Sequence, residues 1–114
     1  MRTDRERVED ILEAIGKIEK YAKGGRKQFE GDELVQVWIL HHLQIIGEAA
    51  RSMGLETVSR HPEVPWVKMG DMRNYLTHEY FGVDDNIVWN VVERELPKVK
   101  GWMATILKEP SEKK

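Results

Sequence analysis

The chain has 114 residues, with 18 Lys and Arg against 20 Asp and Glu, a formal net charge of -2. That length suits one domain burying roughly 65% of its unfolded surface, and the near-neutral balance excludes a broadly basic surface that would hold nucleic acid nonspecifically. There is no cysteine, so disulfides, thiolate zinc sites and cysteine nucleophiles are excluded, and reactive chemistry falls to oxygen and imidazole.

The opening MRTDRERVED is charged from its second residue and leads into no apolar signal-peptide region. No window approaches the ~18 apolar residues of a membrane span. The expectation is a cytoplasmic protein without a membrane partner. Thr3 and Glu6 have capping-box spacing, and Val8, Ile11, Leu12, Ile15 and Ile18 recur on one face, which predicts a helix from about Thr3 to Ala22. Gly24 and Gly25 supply left-handed conformations to stop it, and GGRKQFEGD reads as a polar connection with Phe29 as an inward anchor. Asp32 caps a second helix, Leu34 to Met53. Its Val35, Trp38, Ile45, Ala49 and Met53 form one stripe, while Leu34, Val37, Ile39 and Ile46 spill onto other faces. So wide an apolar surface suggests burial against a second copy of the chain, with Gly47, Ala49 and Ala50 permitting close approach; the alternative is a central helix surrounded within one chain.

GLETVSRHPEVP reads as the longest irregular stretch. Pro65 suits the start of a third helix, about Trp66 to Glu79, whose buried stripe is Met69, Met72 and Leu76. Gly82 ends it, and Asp84 caps a fourth helix with Ile87, Val88, Val91 and Val92 inward. Pro97 kinks or restarts that helix, and Val99, Trp102, Met103 and Ile106 continue its stripe. Residues 109–114 read as a frayed tail. No segment alternates as a strand would, so the expected fold is all-α: a single domain over 1–114, an up-and-down bundle of four to five helices.

The stretch RNYLTHEYF, Arg73 to Phe81, carries the candidate chemistry. Asn74 and His78 are four apart and share a helical face, whereas Arg73 and His78 point ~140° apart on an ideal helix. A histidine, whose free imidazole titrates near pH ~6.5, can take the proton from a ribose 2'-hydroxyl, and a guanidinium can hold the phosphate as charge develops. Asparagine would orient either. No metal or cofactor is required, because the 2'-hydroxyl is an internal nucleophile. On spacing alone the bland reading is a solvated helix face.

The run RNYLTHEY resembles the R-x(4)-H-x-Y motif of HEPN-domain proteins, specifically the HepT-like toxins. DILEAIGKIEKY, LQIIGEAAR, VPW ahead of the motif and YFGVDDNIVWNVVERELP after it resemble the same family in the same order, over nearly the whole chain. The resemblance implies an all-helical homodimer whose motif helices meet in a cleft. It further implies a metal-independent endoribonuclease acting on RNA and partnered by a minimal nucleotidyltransferase antitoxin. Carried over residue by residue, Arg73 would bind phosphate, Asn74 would be the polar residue beside it, His78 the catalytic histidine, and Tyr80 the tyrosine that receives AMP.

Other residues carry structural readings. His41 and His42 adjoin on one helix and suit a core or interface, and His61 precedes a proline in a loop. The four histidines lack metal-ligand spacing. Glu48, within an apolar run, is expected to be buried and paired with Arg51, Arg73 or a subunit-interface group. Tyr75 is expected to pack, and Trp38, Trp66, Trp89 and Trp102 to anchor the core or an interface. Two other functional classes fit the sequence: a non-catalytic nucleotide-binding module partnering a nucleotidyltransferase, and a helical interaction domain.

Overall fold

The computed structural model describes residues 2–79 and 82–109. Among these residues the chain is all-helical, as expected. The elements are α1 (Asp4–Ala22), α2 (Gly25–Gly31), α3 (Glu33–Arg51), α4 (Leu55–Arg60), α5 (Trp66–His78), α6 (Asp85–Asn90), a π-type turn at Val91–Glu95 and α7 (Leu96–Leu107).

The capping box forms at the start of α1: the Glu6 N–H donates to Thr3 Oγ1 at 3.0 Å and the Thr3 N–H to Glu6 Oε1 at 2.9 Å. Such a cap is worth about 1 kcal/mol. Val8, Ile11, Ile15 and Ile18 are fully buried behind it. The predicted connection after α1 is instead a helix. Of its glycines only Gly25 takes positive φ, at 87°. Phe29 supplies the reason for α2, since it is buried against Trp89 with ring centroids 5.5 Å apart, while Arg26 and Glu30 pair at 2.7 Å along the outer face.

Asp32 caps α3 as expected, its Oδ1 accepting from the N–H groups of Leu34 and Val35 at 3.0 and 3.3 Å. The buried stripe differs from the expected one. Val35, Ile39, Leu43, Ile46 and Ala50 form its centre, and Trp38 and Ile45 are only half-buried. The helix is sandwiched between α1 and α5, so it buries a broad face inside its own chain, and Ile39 and Ile46 fall at the middle of that face. Leu34 and Val37 stay exposed, at 82% and 45%.

The stretch after α3 is irregular only in its second half, 61–65: Leu55–Arg60 folds as α4 and is tied to α1 through Asp4. That carboxylate accepts from the Thr57 hydroxyl at 2.6 Å, from the Gly54 N–H at 3.1 Å, and from Arg7 at 3.0 Å. His61 lies in the loop after α4, as expected, and is buried there. Its Nε2 lies 2.9 Å from a carboxylate oxygen of Glu109, and Arg60 also reaches Glu109. Glu109 is therefore docked rather than frayed; residues 110–114 lie outside the described residues.

Asp84 caps α6 by accepting from the Asn86 N–H at 2.8 Å. Val88 and Trp89 face inward, whereas Ile87, expected inside, is 43% exposed. The helix restarts at Pro97, as expected, with the proline in the first turn of α7. Proline lacks an N–H and crowds the carbonyl four residues back, and one widened turn precedes it, with the Leu96 N–H donating to the Val91 carbonyl. Val99, Met103 and Ile106 then resume the core, and Trp102 is half-buried.

Contacts fix the up-and-down order. Asp4 at the start of α1 meets Gly54 just past α3, and the Trp38 indole near the start of α3 donates to the Lys17 carbonyl on α1. Lys100 pairs with Glu19, and Arg5 with the Leu107 carbonyl, so α7 runs antiparallel to α1. In space the long elements run α5, α3, α1, α7. No helix among the described residues is long and apolar enough to cross a membrane.

Partial burial pushes the Asp4 carboxyl up. The Thr57 hydroxyl, the Gly54 N–H and Arg7 outweigh it and hold the group below its ordinary range. A carboxyl depressed in the folded state contributes stability above its unfolded pKa of ~3.9, lost as pH falls through the folded value. Asp4→Asn is expected to cost about 1–3 kcal/mol at pH 7. Thermal melts from pH 7 to pH 3 should show a shallower acid loss for the variant than for the wild type.

Candidate functional site at the α3–α5 contact

Two glycines let α3 and α5 approach. A methyl at Gly47 on α3 would collide with the Arg73 Cβ and lie 2.8 Å from the Met69 carbonyl oxygen; one at Gly70 on α5 would lie 3.1 Å from the Arg51 Cβ. The contact is reciprocal. Each glycine sits under an arginine of the other helix, which brings Glu48 and Arg51 from α3 beside Arg73 and Asn74 from α5. The small residues expected to admit a second chain, Gly47, Ala49 and Ala50, are all buried within this chain.

Asn74 is the centre of the cluster. Its Oδ1 accepts from Arg73 Nη1 and from Arg51 Nη1, each at 3.2 Å. Two guanidinium donors on one atom require the amide oxygen there, which fixes the orientation of the side chain. Arg73 Nε pairs with Glu48 Oε1 at 3.2 Å. Glu48 itself is 58% exposed, contrary to the expected buried carboxylate, because the α3 helical turn carries it to the rim of the contact. Arg73 is one of the expected partners. A pair so open to water is worth about 0–1 kcal/mol, so it orients Arg73 more than it stabilises the fold.

The Asn74 backbone holds the third group. His78 Nδ1 lies 2.9 Å from the Asn74 carbonyl oxygen. A carbonyl only accepts, so Nδ1 carries the proton in the neutral ring and Nε2 keeps its lone pair. His78 is exposed in the last turn of α5, and its bulk-facing nitrogen is available to a base-catalysed step. Arg73 and His78 share no hydrogen bond. The angular gap expected between them is bridged by Asn74, whose side chain holds one and whose main chain holds the other.

Tyr80 lies outside the described residues. The Tyr75 hydroxyl accepts from the Asp84 N–H at 2.9 Å, tying α5 to the start of α6 and giving Tyr75 its structural role. His42 is buried, with Nδ1 2.8 Å from the Trp38 carbonyl, while His41 is exposed. Among the described residues no three His, Asp or Glu side chains converge as a metal-binding group. Sequence reasoning gave Arg51 only as a possible partner of Glu48. Its i,i+3 spacing from Glu48 marks a shared face, but its contact with Asn74 depends on Gly70.

The profile described as "Ribonuclease HepT-like" matches residues 11–106. The chain is 38% identical over 101 residues to a protein of Thermococcus cleftensis named "Probable ribonuclease HepT", covering 88% of this chain and 92% of that one. Two relatives whose names read "Putative RNase" come from Methanocaldococcus jannaschii, 34% identical with 80% and 84% coverage, and Caldanaerobacter subterraneus, 33% identical with 96% and 98% coverage. No solved structure matches. The chain belongs to the ribonuclease HepT-like family.

If Gly47 sets the approach, Gly47→Ala should destabilise by about 1–3 kcal/mol through overpacking. The Gly70→Ala methyl would lie 3.1 Å from the Arg51 Cβ, a contact relieved by a shift of a few tenths of an ångström, and a helical alanine gains about 0.5–1 kcal/mol over glycine, so it should cost less than Gly47→Ala. Urea unfolding of the two variants tests that order.

Proposed function

We propose that this chain is the toxin of a HEPN and minimal-nucleotidyltransferase pair: a metal-independent endoribonuclease whose cleft forms between two copies and which AMP transfer to Tyr80 silences. The reading is supported by the Asn74 cluster, which holds the Arg73 guanidinium by its side chain and the His78 imidazole by its carbonyl in the last turns of α5. In this mechanism His78 Nε2 takes the proton of a ribose 2'-hydroxyl, and O2' bonds to the adjacent phosphorus. The bond from phosphorus to the 5'-oxygen breaks, and that oxygen takes a proton from the imidazolium or from water. Arg73 holds the phosphate oxygens as charge builds. The products are a 2',3'-cyclic phosphate and a 5'-hydroxyl.

Membership in a family described as ribonuclease supports RNA as the substrate. The apolar residues left open at the start of α3, Leu34 and Val37, are surface that a second copy could cover. An AMP on Tyr80, two residues from His78, would add negative charge and bulk where RNA phosphate must enter.

The test is cleavage of total cellular RNA and tRNA in excess EDTA by protein whose intact mass shows Tyr80 unmodified. Wild type should yield fragments ending in 2',3'-cyclic phosphate. His78→Ala should slow this by about 10²–10⁴-fold with unchanged circular dichroism, and Arg73→Ala should be similarly impaired. Absence of fragments from the wild type would favour a non-catalytic nucleotide-binding module.

A further inference from the structure

The cluster holds one cation more than the proposed chemistry uses. Arg51 is exposed at the end of α3 and places one of its five donors on Asn74 Oδ1, an oxygen it shares with Arg73. Arg73 has Glu48 as its counter-charge. Among the described residues no carboxylate lies within ion-pair distance of Arg51. Asp71 borders the same cleft but is exposed and makes no ion pair with it. Two guanidiniums converge on one neutral amide oxygen; Glu48 pairs with Arg73, and Asp71 at the border of the cleft pairs with neither, so the donors of Arg51 not turned to Asn74 remain open to a ligand. Both guanidiniums are braced by helices that a glycine contact holds together, so the site is built rather than a pair of wandering surface cations.

Beyond Arg51 the surface opens into a cleft of about 320 Å³, bordered by Arg51, Asp71 and Asn74 and by the apolar Trp66 and Val67. A bare anion would leave this space empty. A nucleotide would place its phosphate at Arg51 and its sugar or base over Val67, which is 77% exposed.

We propose that Arg51 and this cleft form a second RNA subsite, in which Arg51 binds a phosphodiester next to the scissile one and the cleft takes the attached nucleoside. The inference rests on RNA being the ligand of the site proposed above. It also explains how a chain of net charge -2 would hold RNA, since two adjacent phosphates meet two neighbouring guanidiniums although the chain as a whole is slightly acidic.

The experiment uses a labelled 2'-O-methyl RNA oligonucleotide, which binds but cannot react, with affinities measured by fluorescence anisotropy over a series of salt concentrations. The proteins are wild type, Arg51→Gln, Arg51→Lys and Lys23→Gln. Lys23 follows the opposite end of α1 from Gly54 and controls for loss of one charge. Arg51→Gln should weaken binding about tenfold and lower the slope of log affinity against log salt by about 0.7, one phosphate's share on a single strand. Arg51→Lys should keep most of that slope, and Lys23→Gln should match wild type. In parallel cleavage assays Arg51→Gln should raise KM far more than it lowers kcat. Equal affinity and slope for Arg51→Gln and wild type would overturn the subsite, as would equal losses for Arg51→Gln and Lys23→Gln. A fall in kcat at constant KM would also overturn it, by making Arg51 a positioning residue for Asn74. Wild type that binds with these slopes but does not cleave would sustain the subsite and sink the ribonuclease reading; wild type that binds no RNA would sink both.

Discussion

The close approach of α3 to α5 over Gly47 is the constraint on which the rest of the site depends. With any side chain at that position the Arg73 backbone would have to move outward. Glu48 would then lose Arg73, and Arg51 would lose Asn74, because both contacts come from the turn of α3 that follows the glycine. None of these polar contacts is strong enough to hold two helices together in water. The helices are held by Ile39, Leu43, Ile46 and Leu76 in the core, and the polar groups take the positions this packing leaves them.

Asn74 turns that packing into chemistry. It is neutral, so it draws two cations together without cancelling either, and its main-chain carbonyl sets the tautomer of His78 through a separate contact. An aspartate there would neutralise a guanidinium; an alanine would leave Arg51 free to swing and Arg73 held by Glu48 alone. The cluster therefore concentrates positive charge locally in a chain whose total charge is slightly negative.

The scaffold fixes both ends of this arrangement. Asp4 clamps the turn after α3 to the start of α1, and His61, Arg60 and Glu109 join the α4 end to the end of α7. On the other side of the motif, Tyr75 reaches across to the Asp84 N–H and anchors the return of the chain into α6. The motif helix is thus held before and after the residues that carry its chemistry, while His78 stays open to solvent.

The sequence by itself determined the helical class, the caps at Thr3, Asp32 and Asp84, the core of α1 and the motif from Arg73 to His78. These are local properties: a cap bonds within three residues, and a stripe repeats every three or four. The resemblance in the motif and its flanks identified the family that the sequence comparisons support. Tertiary structure decided what depended on neighbours far along the chain. It made helices of GGRKQFEGD and of the stretch around Thr57, because Phe29 finds Trp89 and Thr57 finds Asp4. It rotated the buried face of α3 toward Ile39 and Ile46, because α3 lies between two helices rather than against one. It exposed Glu48 and delivered Arg51 to Asn74, since spacing along a helix says which residues share a face but not which other helix that face will meet.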